Sequence, residues 1–141
     1  MRVELILHPT DFSPPAALAF DTACRIATQT KARLVLLHVH ERPLGQTDES
    51  QQHDRLVLGG LEELAVRARG LGVALTDPRL AHGHPWHVIV DVARELHCDL
   101  VVLGVRGHDT ARLPIGRVAE EVTRNARCSV LVVRPPPESS P

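Results

Sequence analysis

The sequence predicts an α/β fold: a single doubly wound parallel five-stranded sheet in the order 3-2-1-4-5, with helices on both faces. Three observations carry that expectation. Short apolar runs alternate with stretches whose apolar residues recur at helical spacing, the β-α-β-α pattern of parallel sheets. The runs Leu34 to Val39 and Leu100 to Leu103 are apolar at nearly every position, as central strands covered on both faces are. Finally, the weakest run, Val73 to Leu80, contains Pro78, whose missing N–H puts that strand at a sheet edge and so favours the order in which the third strand is outermost.

Taken in chain order, Val3 to Leu7 is the first strand, with His8, Pro9, Thr10 and Asp11 in the loop at its carboxyl end. Ser13 is the cap and Pro14 the first residue of a helix whose face is Ala16, Phe20, Ala23 and Ala27, ending near Thr30. Leu34 to Val39 is the second strand. The polar segment from His40 to His53, with Pro43 and Gly45, leads into a second helix that runs to about Arg69 and turns Leu56, Leu61, Leu64 and Ala68 to the core before Gly70 and Gly72 stop it. After the edge strand, Pro85 opens a third helix through Leu96 with the stripe Val88, Ile89, Val92 and Leu96. Leu100 to Leu103 forms the fourth strand, about Gly116 to Asn125 the fourth helix, and Ser129 to Val133 the last strand. One domain over 1–134 is expected, with a disordered proline-rich tail at 135–141.

Composition excludes several function classes. At 141 residues, with 43% hydrophobic and 23% charged residues, the chain matches one globular domain. No apolar run approaches the roughly 18 residues of a membrane span, and the N-terminus has no signal-peptide pattern, so a cytoplasmic protein without membrane partners is expected. A net charge of -1 without a basic run argues against nucleic acid. Aromatic residues are only 2% (Phe12, Phe20, Trp86), which leaves few stacking platforms, and Lys31 is the only lysine, which removes Schiff-base and Walker-type lysine chemistry. Cys24, Cys98 and Cys128 form no CxxC pair and suit buried thiols in a reducing compartment.

In open parallel sheets ligands bind at the carboxyl ends of strands where the strand order reverses. In the order 3-2-1-4-5 the loops that meet there are His8 to Ser13 and Gly104 to Gly116, the most polar and glycine-marked strand exits in the chain. The second loop ends on a helix N-terminus, where backbone N–H groups and the helix dipole favour an anion, and its glycines allow a phosphate to approach closely. The corresponding positions are Pro9, Thr10 and Asp11 after strand one, and Leu103, Gly104, Gly107, Gly116, Arg117 and Val118 around the glycine loop.

The motifs ILHPTDFSPPAALAF, LLHV, GHP and DLVVLGVRG…GRVAEEVTRNARCSVLVV, in that order over nearly the whole chain, resemble the universal stress protein (UspA-like) family. The resemblance implies the sheet order 3-2-1-4-5 and a division between members that bind ATP and members that do not. The binders carry a glycine, two residues, a glycine, nine residues, then a glycine followed by Ser or Thr. Here Gly104 and Gly107 match, eight residues separate Gly107 from Gly116, and position 117 is Arg. Carried over, the phosphate contacts fall on Gly116 and Arg117, the nucleoside contact on Asp11 and the adenine contact on Val39. Arginine is itself a strong phosphate partner. The expected ligand is an adenine nucleotide, ATP or AMP, with no metal beyond nucleotide-associated Mg2+. The rival is a dimeric stress module that binds no nucleotide, its pocket closed by Arg117 and the shortened loop.

Nine histidines raise the question of a metal, but His82, His84 and His87 straddle a turn and match no zinc spacing, and His8 and His40 lie at strand exits. They are read as solvent-facing loop histidines, with His38 in the core. No GxSxG, P-loop or GxGxxG template is present, and His8 with Asp11 is the only acid/base pair to consider, so no enzyme is expected beyond slow ATP hydrolysis. The last strand, SVLVV, is an apolar edge without charge or proline, which invites pairing. The family resemblance implies a homodimer joined antiparallel through it.

Overall fold

The structure, a computed structural model, describes residues 1–41, 47–108 and 114–137. Six parallel strands, β1 (Leu5–Pro9), β2 (Arg33–His40), β3 (Ala74–Leu75), β4 (Arg79–His82), β5 (Leu100–Gly104) and β6 (Ser129–Val133), make one sheet in the order β3-β2-β1-β5-β6, with β4 also paired to β2. The doubly wound order expected from the sequence is therefore the one observed.

The difference in strand number has a local cause. Leu75 stands opposite Leu34 and Arg79 opposite Leu37, so Thr76 to Pro78 face only Val35 and Leu36, three residues against two. Pro78 cannot donate to the ladder, and this one-residue bulge splits the expected edge strand into β3 and β4.

Alternation along the strands sends side chains to opposite faces. On one face Ile6, Leu34, Leu36, Leu100 and Val102 pack under α1 (Pro14–Thr30) and α2 (Asp48–Gly70), which contribute Phe20, Ala23, Ala27, Leu61 and Ala65. On the other, Leu7, Val35, Leu37, Val101 and Leu103 pack under α3 (Pro85–Glu95) and α4 (Arg117–Asn125) through Ile89, Val92, Ala119 and Val122. Alanines on the buried stripe of α1 let its backbone lie close to the sheet. Among the described residues no helix is long and apolar enough to cross a membrane.

Several boundaries differ from the sequence reading. β1 begins at Leu5 rather than Val3 because its pairing with β2 starts there, and the Asp99 carboxylate caps its entrance by accepting the N–H groups of Glu4 and Leu5 at 2.8 and 2.9 Å. In α2, Leu56 is 76% exposed and Val57 takes the core position, since Val57, Leu61, Ala65 and Ala68 form the stripe. Thr47 and Ser50 close a capping box at the start of that helix. Pro43 and Gly45, and the last residues of the tail, 138–141, lie outside the described residues.

The largest correction concerns His8. It is not a loop residue but a member of β1, fully buried, while His38 is only half-buried. Because its Nδ1 lies 2.8 Å from the Val102 carbonyl, which can only accept, Nδ1 carries the proton. Nε2 is buried without a hydrogen-bond partner among the described residues, and the ring leans on Phe20 at 6.0 Å between centroids. Burial pushes the His8 pKa down from 6.5 to about 4, against the opposing pull of the Val102 hydrogen bond and of Asp11.

The unfolded chain therefore binds a proton below about pH 6.5 that the folded chain refuses until about pH 4, so this contribution to stability is complete above 6.5 and lost as pH falls to 4. Asn at this position can keep the hydrogen bond to Val102 without titrating. In urea denaturation from pH 7 to 4 the wild type should lose about 3 kcal/mol more than His8→Asn; parallel pH profiles would show that His8 is not the buried neutral group described.

Candidate functional site

A cleft of about 590 Å3 opens at the carboxyl edge of the sheet, between the exits of β1 and β5, where the strand order reverses. All ten residues singled out from the sequence line it: Pro9, Thr10, Asp11, Val39, Leu103, Gly104, Gly107, Gly116, Arg117 and Val118. His8 does not line it, so the conceivable His8/Asp11 acid–base pair is not assembled there.

The β1 exit is held by short local bonds. The Asp11 Oδ1 accepts the Ser13 N–H at 3.0 Å, and Ser13 Oγ in turn accepts the Ala16 N–H at 3.3 Å as the cap of α1. Asp11 is thus both a turn-former and a cleft residue. Between them Phe12 takes a left-handed backbone, φ 62°, stabilised on one side by Thr10 Oγ1, which accepts its N–H at 3.0 Å. That backbone turns the Phe12 ring against His38, 5.3 Å between centroids, and onto Gly60 of α2, where a Cβ would meet the ring at 3.0 Å.

The glycines of the second loop have separate tasks. A Cβ on Gly104 would stand 2.8 Å from the backbone C and O of Pro15, so this glycine lets the first turn of α1 lie on the end of β5. A Cβ on Gly107 would collide with the Asp11 carboxylate, so Gly107 lets that side chain cross the cleft floor. Gly116 is buried, donates its N–H to the Val105 carbonyl at 2.7 Å and forms the N-cap of α4 without a side-chain cap. Arg117 is the first residue of α4 and is exposed. A helix start with no side-chain cap and a guanidinium beside it favour an anion. Residues 109–113 of the shortened loop lie outside the described residues.

Sequence reasoning missed His38, His40 and His53, which also border the cleft, as do Phe12, Arg106 and His108 within the two loops already identified. His38 Nδ1–H donates to the Thr10 carbonyl at 2.8 Å and His108 Nε2–H to the Asp11 carbonyl at 2.9 Å, so both tie the β1 exit to its neighbours. Burial lowers the pKa of His38 and of His40, and for His40 the neighbouring His53 lowers it further, while Asp54 raises it. Position beside the strand-two exit was the available signal for His38 and His40; nothing local marks His53, which reaches the cleft from α2.

The histidines are not solvent-facing loop residues as a group. His82 leaves the local His82/His84/His87 run and meets Asp54, its Nε2 lying 3.3 Å from the carboxylate, while His84 and His87 stay at the start of α3 beside Trp86.

The family model described as "Universal stress protein family" matches residues 3–134. The chain belongs to the universal stress protein family. Consistent with that membership, a relative from Staphylococcus haemolyticus that carries the universal stress protein name is 32% identical over 140 residues, covering 92% of this chain and 83% of that one. Among solved structures, the universal stress protein UspA from Lactobacillus plantarum superposes with a TM-score of 0.81 at 28% identity, over 95% of this chain and 99% of its own. A universal stress protein solved in complex with cAMP gives a TM-score of 0.76 at 25% identity, over 95% and 98% of the two chains.

The two glycine tasks can be separated by mutation. Gly104→Ala presses a methyl group into backbone and should lower stability by about 1–3 kcal/mol. Gly107→Ala meets only a movable carboxylate and should cost clearly less. Urea midpoints measure both; equal midpoints for the wild type and Gly104→Ala would refute the close contact.

Proposed function

We propose that this universal stress protein is a small regulatory domain that binds an adenine nucleotide, ATP or AMP, in the cleft at the β1/β5 switch point. The observation that carries the reading is the division of that single cleft: the α4 start with Gly116 and the exposed Arg117 suits phosphate, and the walls around Val39, Ile89 and Leu103 suit a base. Asp11 also lines the cleft and offers a carboxylate to ribose hydroxyls. The relative solved with cAMP supports an adenine nucleotide as the ligand class. No step of chemistry on the nucleotide is part of the reading. Against the rival, a dimeric module that binds no nucleotide with its pocket closed by Arg117 and the shortened loop, stands the cleft of about 590 Å3 that Arg117 lines among the described residues.

The same reading includes a homodimer through β6. Among the described residues β6 pairs only with β5, and its Leu131 is 36% exposed on an edge that has no proline or charge from Ser129 to Val133. One domain over 1–134 is part of the same reading, and the three free cysteines fit a reducing, cytoplasmic setting.

Denaturing freshly purified protein should release an adenine nucleotide detectable by chromatography, and calorimetry should show heat with AMP or ATP. Arg117→Ala should weaken binding about tenfold or more, the loss of one charge-assisted contact. No released nucleotide and no heat with either ligand would reject the proposal. For the dimer, Leu131→Lys should move the protein towards monomer in sedimentation; an unaltered dimer would sink that part alone.

A further inference from the structure

We propose that His40, Asp54 and His82 form a binding site for a divalent transition-metal cation of the zinc class, at the rim of the cleft and independent of the nucleotide. The backbone itself puts the two histidines together: His40 ends β2, His82 ends β4, and they are direct partners in the parallel ladder, locked by the Gly83 N–H bond to the His40 carbonyl at 3.0 Å. Asp54, in the second turn of α2, lowers its carboxylate between them. His82 Nε2 lies 3.3 Å and His40 Nδ1 3.7 Å from that carboxylate, and the three ligand atoms all fall within 4.8 Å of one another.

His82 hydrogen-bonds Asp54 at 3.3 Å, but the His40 separation suits a metal better than it suits hydrogen bonding. Ligand atoms bound tetrahedrally at zinc distances sit about 3.3 Å apart. At 3.7 Å the His40 nitrogen is too far from Asp54 for a hydrogen bond, and it is buried with no hydrogen-bond partner among the described residues. A cation held by His40 Nδ1, His82 Nε2 and one Asp54 oxygen would satisfy it. The His53 ring, stacked on His40 at 4.2 Å between centroids, restricts the orientation of that imidazole. Two imidazoles and one carboxylate select zinc, cobalt or nickel over calcium and magnesium, which prefer oxygen ligands. Three protein ligands leave one tetrahedral position for water or another small ligand.

Three elements, β2, α2 and β4, would be joined by the ion. Because the arrangement exists only in the folded chain, binding should raise the melting temperature.

The test uses full-length protein without a polyhistidine tag, stripped with a chelator and titrated with zinc chloride in the absence of nucleotide. Calorimetry should show one saturable site per chain, and Co2+ should give the visible d–d absorption of ordered nitrogen and oxygen ligation. His82→Ala and Asp54→Asn should each weaken zinc binding about tenfold or more, whereas His84→Ala and His87→Ala should leave it unchanged. Zinc binding only in the millimolar range, a wild-type cobalt spectrum without d–d bands, or an affinity unaltered in His40→Ala/Asp54→Asn/His82→Ala would each overturn the proposal. The wild-type measurements decide it even where a variant does not fold. Failure of nucleotide binding leaves these outcomes unaffected.

Discussion

The contact on which the cleft depends is the close approach of the first turn of α1 to the end of β5, with the backbone of Pro15 against Gly104. In a parallel sheet each strand exit must hand the chain to a helix that crosses back over the face, and the distance between adjacent exits is set by how near the helix backbone can come. With no side chain at Gly104, α1 settles directly on β5. The β1 exit loop and the β5 exit loop then border one cavity, and Asp11 of the first reaches Gly107 of the second.

Around that contact, polar groups fix the loops. Asp11 and Ser13 satisfy N–H groups at the entrance of α1, His38 and His108 hold the Thr10 and Asp11 carbonyls, and His8 anchors β1 to β5 from inside the core. A neutral buried imidazole bound to one carbonyl is costly to protonate, which makes the centre of the sheet sensitive to acid although the cleft itself is open to solvent. The anion-favouring end, by contrast, lies at an exposed helix start where a ligand can enter and leave.

Much of this was legible in the chain. The apolar runs located the strands, Ser13–Pro14 located the start of α1, and Pro78 identified the outer strand through the donor it lacks. The cleft residues at the exits of β1 and β5 followed from topology, because the ends of neighbouring strands must lie side by side whatever their side chains do, and Val39 followed from the family resemblance. Where periodicity was ambiguous the reading slipped: Leu56 and Val57 are adjacent and both apolar, and only the packing of α2 on the sheet decides which is inside.

By itself, the sequence determined the order of elements, the doubly wound sheet and the residues at its carboxyl edge, since these depend on patterns within short stretches and on rules of connection. Tertiary structure alone decided which groups from distant stretches meet. His8 looked like a loop residue and is core because β2 pairs along the whole of β1 while β5 lies on its other side, paired at Ile6 and Leu7 and bonded to the His8 ring through the Val102 carbonyl. His40, Asp54 and His82 come from three elements, and His40 is opposite His82 only because the bulge at Thr76 to Pro78 shifts the register of β4 by one residue. A one-residue shift changes which side chains share a face and selects every cross-strand neighbour.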